Sequence, residues 1–198
     1  MSRARPIGAD ARRAELVAAA RDVFARRGYH AAGVADIIEA AGVARGTFYN
    51  YFESKRAIFA AVLDEVLAAV TDAIQAIDVT RPLESQVRDN IQRVVAVLQE
   101  EGDVARMIFA DAVGIDAEGV EALRDFYGAA LARIERALHT GQALGVVRIG
   151  DVRLTARCLL GTLKEPVFQS LLWDEPIDPV SLATEIIALL GGGVMVSG

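Results

Sequence analysis

Positions 36–55, reading DIIEAAGVARGTFYNYFESK, constrain this chain more than any other stretch. Val34, Ile37, Ile38 and Ala41 recur at i, i+3, i+4 and i+7, which is one apolar stripe of a short helix. Gly42 follows at once as a helix stop, and Val43 plugs the corner. Beyond it Phe48 and Phe52 stand four apart, so a second helix over 45–52 is pinned against the first by two rings. At about 100° per residue, Arg45, Gly46, Tyr49 and Asn50 then point away from those rings, with Thr47 and Tyr51 along one edge.

Such a free face suits a DNA groove. An Arg near the start of a recognition helix can donate twice to guanine, a Gly lets backbone come close, and hydroxyls, amides and Lys hold phosphates. Arg45 is informative because a cation in the first turn opposes the helix dipole by a few tenths of a kcal/mol, so helix stability does not explain it. The plainer reading of Arg45 is a solvated surface charge.

Gly-Tyr at 28–29, Asp-Ile at 36–37, Ala-Gly-Val at 41–43, Gly-Thr-Phe-Tyr-Asn-Tyr-Phe at 46–52 and Ser-Lys at 54–55 together resemble the DNA-binding domain of the TetR family of bacterial transcriptional repressors. The likeness covers about the first 60 residues. It implies an all-α fold: a three-helix, N-terminal helix-turn-helix domain joined by a long helix to a helical ligand-binding and dimerisation domain. It also implies that Arg45, Gly46 and Tyr49 face bases, and that Thr47, Asn50, Tyr51 and Lys55 face phosphates of a palindromic operator. The family usually caps both helices of the motif with Ser or Thr, whereas this chain has Ala32-Gly33 and Ala44 there. Each missing hydroxyl costs about 1 kcal/mol and removes a possible phosphate donor.

Charge divides the chain in the same way. Residues 1–56 hold 10 Lys or Arg against 6 Asp or Glu, a balance of +4, and the remainder holds 11 against 21, a balance of −10. A basic head on an acidic body is what a DNA reader attached to a second domain shows, which sets expected domains at 1–56 and 57–198. With 53% hydrophobic residues, the 198-residue chain can build a sizeable core and a subunit interface. One cysteine, Cys158, gives no disulfide framework and fits a reducing cytoplasm. No apolar run is long enough for a membrane span, and no signal peptide is visible.

In chain order, positions 1–6 carry Arg3 and Arg5 without helical period, either an arm that touches DNA or a solvated tail. Leu16, Ala20, Val23 and Phe24 make the buried stripe of a helix over 10–27, Gly28 ends it, and Tyr29 folds back on Phe24. His30 reads as a turn residue. A long lever helix carrying Phe59, Val62, Leu63, Val66, Val70, Ile74 and Ile77 is expected to reach position 78. Helices follow over 83–101, from Asp103, over 117–144, over 151–173 with Pro166 as a kink, and over 178–190. The Gly191–Gly193 run then frees the tail.

Met107, Phe109, Phe126, Tyr127, Phe168 and Trp173 are the bulky side chains that can line a cavity for a small apolar inducer, although aromatics at helical spacing are as readily plain core. The segment through Val113-Gly114 also resembles, loosely, family members that respond to fatty acyl compounds. The family resemblance also implies that the last two helices pair with their copies in a homodimer, and their breadth of apolar surface agrees, with Leu159, Leu163, Val167, Leu171, Leu182, Ile186 and Leu189 as interface candidates; the plainer reading is a purely intrachain core. No phosphate loop, metal-ligand spacing or nucleophile-base pair is visible, and His139 and Cys158 stand isolated, so neither catalysis nor a cofactor is expected. The expectation is a ligand-responsive repressor; a small-molecule-binding protein that no longer binds DNA is the alternative.

Overall fold

The computed structural model describes residues 8–110, 117–148 and 150–191. Arg3 and Arg5 of the expected arm, Val113-Gly114 and the last two glycines of the tail lie outside them. The described residues form nine helices: α1 (Ala9–Ala31), α2 (Val34–Ala41), α3 (Arg45–Tyr49), α4 (Lys55–Ala73), α5 (Leu83–Glu100), α6 (Gly102–Ala110), α7 (Ala117–Ala143), α8 (Val152–Trp173) and α9 (Pro179–Gly191). The fold is all-α, as the sequence indicates.

Gly28 interrupts α1 with φ 71° and ψ 164°, a conformation closed to residues bearing a Cβ. The break turns Tyr29 inward. Its fully buried ring lies 5.7 Å from Phe24 and 4.4 Å from Phe59 of α4, and Phe24 meets Phe59 edge-on at 5.3 Å. This aromatic triad is the floor on which α2 and α3 stand. Gly42 ends α2 in the left-handed region at φ 62°, its amide donating to the Glu39 carbonyl at 3.1 Å while the Val43 amide reaches Ile38 at 3.2 Å. The recognition helix proper, Arg45–Tyr49, is shorter than the expected 45–52. Amides of Tyr51 and Phe52 still donate to the Phe48 carbonyl, each at 3.0 Å, so one further turn brings Phe52 under the helix.

The lever helix α4 ends at Ala73, not at 78. Side-chain amides on α5 take over the backbone beyond it. Asn90 exchanges two hydrogen bonds with the Gln75 backbone, both 2.9 Å. Buried Gln86 accepts from the Asp78 amide at 2.8 Å and donates to the carbonyls of Asp78, Arg81 and Pro82 at 2.9, 3.3 and 3.1 Å. With its backbone satisfied from outside, this segment has no need of helical hydrogen bonds, and Ile74 and Ile77 stay exposed.

Packing crosses the expected boundary at 56 and 57. One cluster joins Leu16, Phe24, Ile37 and Phe48 of the head to Phe59 of α4, Val104, Met107 and Ile108 of α6 and Leu123 of α7. A second joins Val94, Val95 and Leu98 of α5 to Val167, Leu182 and Ile186. A third gathers Leu138, Val152 and Ala156.

That second cluster corrects the interface candidates. Val167, Leu182 and Ile186 are buried within the single chain, Leu163 and Leu171 pack against the same cluster, and Leu159 packs against the third. Apolar width on α8 and α9 is therefore spent largely on α5 and α7 of the same subunit; spacing shows that a face is buried, not whose helix covers it. Only Leu189 of the seven is left well exposed, at 70%. The outward side of α8 instead presents Leu154, Cys158, Gly161 and Leu172, a single stripe at helical spacing.

Candidate nucleic-acid interface

Arg45, Gly46, Tyr49 and Asn50 are exposed, Thr47 and Tyr51 are half-buried, and Phe48 and Phe52 are buried beneath them. The face expected from helical rotation is the face the fold leaves open. Tyr49 rests edge-on against Phe48 at 5.3 Å, and the Arg45 guanidinium lies over the Tyr49 ring at 5.5 Å. The ring thus restricts where the arginine fork can point. An open groove of about 420 Å³ runs between Ala35, Ile38 and Glu39 of α2 and Arg45 and Tyr49 of α3.

The missing cap at Gly33 has a substitute that was visible in the sequence but not used. Asp36, three residues on, accepts from the Gly33 amide at 2.8 Å, and its other oxygen takes Arg27 at 2.6 Å, tying α1 to α2. Ala44 has no side-chain cap. Ser54 caps α4 by accepting from the Ala57 amide at 3.1 Å.

Lys55 is placed differently from the expectation. Its ammonium donates to the carbonyls of Tyr29, Ala32 and His30 at 2.8, 3.1 and 3.4 Å and lies 4.1 Å from the centre of the Tyr29 ring. All three N–H donors of an ammonium are then committed to the end of α1, so Lys55 acts as a staple between α1 and α4 and leaves the set of phosphate contacts. Arg56 beside it pairs with Glu121 at 3.0 Å and Asp125 at 3.9 Å on α7, an ion pair between head and body that sequence gave no means of finding.

The six residues expected around a ligand do not converge on one point. Met107 is buried in the head-to-body core. Phe109 borders both that cluster and the second, and meets Phe168 edge-on at 6.3 Å. Phe126 and Tyr127 touch at 5.3 Å, and burial pushes the Tyr127 phenol up to about 12, so it stays neutral. Trp173, at 61% exposure on the last turn of α8, faces outward and is removed from the cavity candidates. Lys164, which the sequence reading passed over, lies 5.6 Å from the Phe109 ring centre and 5.9 Å from that of Phe168.

With this geometry in view, comparison with known proteins is decisive. Residues 16–62 match the model for bacterial regulatory proteins of the tetR family. Over 193 residues the chain is 30% identical to the uncharacterized HTH-type transcriptional regulator YdgC of Bacillus subtilis, spanning 94% of this chain and 94% of that protein. The chain belongs to the TetR family. Among solved structures, the fatty acid degradation regulator FadR of Bacillus halodurans superposes with a TM-score of 0.76 at 26% identity, covering 96% of this chain and 98% of that one. The transcriptional regulator FadR of Bacillus subtilis, in complex with stearoyl-CoA, shares the fold with a TM-score of 0.75 at 24% identity, covering 91% and 98%. In this TetR-family chain, α2 and α3 are the helix-turn-helix and α4 is the connecting helix. No helix of the described residues is long and apolar enough to cross a membrane.

Proposed function

We infer that this TetR-family regulator is a repressor that binds a palindromic operator as a homodimer and is released by a small apolar, acyl-type inducer. The carrying observation is that Phe48 and Phe52, beneath the open Arg45–Tyr49 face, and the aromatic side chains of α6 and α7 belong to one hydrophobic core, so a change in the body is felt at the reading head. The head, 1–56, reads DNA through Arg45, Gly46 and Tyr49, with Thr47, Asn50 and Tyr51 toward phosphates. The body, 57–198, dimerises and takes the inducer near Phe109, Phe126, Tyr127 and Phe168. An acyl ligand is favoured because one relative of the same fold is a fatty acid degradation regulator and another is held with stearoyl-CoA.

Two recognition helices must stand about 34–36 Å apart to enter successive major grooves, so a modest swing of α4 in each subunit is enough to break the match. The test is selection of random duplexes on the purified protein, followed by titration of the selected complex with stearoyl-CoA. The expected outcome is a palindromic site that the thioester releases. Enrichment of no sequence at all would support instead a ligand-binding protein that has lost DNA binding.

A further inference from the structure

Only two lysines stand among 19 arginines in this chain, and both lie over aromatic rings. Lys55 has its three carbonyls as well. Lys164 has no such acceptors: no carboxylate or carbonyl pairs with it among the described residues, and the neighbouring Glu165 is turned to Gln169, whose amide donates to it at 2.9 Å. Ring faces attract an ammonium but do not satisfy its three N–H donors. Among the described residues, no side chain of a body whose balance is −10 pairs with this lysine.

Its position adds to the argument. Lys164 is half-buried on α8, one turn before Phe168, and its ammonium sits where Phe168 meets Phe109 of α6, the ring that borders two hydrophobic clusters. Pro166 inside α8 has no amide to offer the Thr162 carbonyl, so backbone polarity is freed one turn from the same place. A charge with open donors at the end of an apolar seam matches a molecule with an apolar chain and an anionic end. A compact ammonium suits that end, since it binds a carboxylate or a phosphate as a point charge without the planar approach a guanidinium demands.

Resting on the acyl reading above, we propose that Lys164, flanked by Phe109 and Phe168, is the anion-binding end of the inducer site and selects acyl ligands that carry a carboxylate or phosphate over neutral ones. The shared chemistry is an oxyanion on a long apolar chain. Calorimetric titration of the full-length protein with stearate, stearoyl-CoA and methyl stearate separates the sources. Wild type is expected to bind one of the two anionic probes at least tenfold more tightly than the methyl ester, the size of one charge-assisted hydrogen bond. Lys164→Gln should erase that preference while leaving methyl stearate binding unchanged, and Lys164→Arg should retain part of it. Circular dichroism and operator binding of both variants report folding. Equal binding of all three probes by wild type, or an unaltered preference in Lys164→Gln, overturns the Lys164 assignment alone. Failure of wild type to bind any of the three overturns the acyl reading and this inference with it.

Discussion

Arg45 and Lys55 are the two cations of the motif, and the fold gives them opposite tasks. Arg45 stands free over Tyr49, so Arg45→Ala should lose ~1–3 kcal/mol on the selected operator and relax choice at one base pair. Tyr49→Phe should keep that specificity, because stacking needs the ring and not the hydroxyl; equal losses for Arg45→Ala on operator and random duplexes would remove it from base reading. Lys55 is committed to α1, so Lys55→Met should lower thermal stability and weaken all DNA binding while leaving the salt dependence unchanged. A lysine that neutralised a phosphate would instead flatten the salt slope by about one charge per subunit, which anisotropy titrations across a salt series would reveal. Sequence showed both residues in the right motif. It did not show which one the carbonyls of residues 29–32 had already claimed, since those lie in a different helix end.

At the scale of elements, what was legible was whatever depends on neighbours in the chain. Gly42, the Asp151 cap and the Asp178 turn all act within a few residues, and the helix ends they mark agree with the fold, while Gly28 breaks α1 and the helix resumes to Ala31. The end of α4 was not legible, because it is set by Gln86 and Asn90, about a dozen positions downstream, offering side-chain amides to the backbone of 75–82. Gln86→Ala should therefore cost about 1–3 kcal/mol, more than an exposed glutamine would, through several backbone groups left without partners. Denaturant unfolding measures it; a change within a few tenths of a kcal/mol would mean the segment holds its course without the clamp. Which helix covers the apolar face of α8 was not legible for a related reason. Leu163, Val167 and Leu171 form the stripe that spacing reveals, but α5 and α9 of the same chain cover it.

For the whole molecule, the exposed stripe of α8 carries the dimer expectation. Leu154 and Leu172, at 57% and 50% exposure, are candidates that a second copy would cover. Leu172→Glu should give a folded monomer with weak operator binding, whereas Leu163→Glu should destabilise the subunit itself by burying an unpaired charge. Sedimentation together with melting curves distinguishes them, and a dimeric Leu172→Glu would move the interface elsewhere. On the inducer side, Phe126→Trp should blunt release by the acyl probe yet leave operator affinity nearly intact, because Phe126 stands on α7 and is not part of the exposed Arg45–Tyr49 face. A hundredfold drop in operator affinity on release corresponds to a coupling of about 2.7 kcal/mol, and it must appear equally as weaker ligand binding to the operator complex.

The core that runs from Phe48 through Phe59 to Met107 and Leu123 has a consequence for cooperativity. The interior of the head is continuous with part of the body's, so the two are expected to melt together, and a calorimetric trace of the chain should hold one transition. A ligand that stabilises the body by mass action must then stabilise the helix-turn-helix as well. On the proposed reading, the expected inducer makes the reader firmer and holds it at the wrong spacing; a ligand that lowered the melting temperature of the head would contradict it.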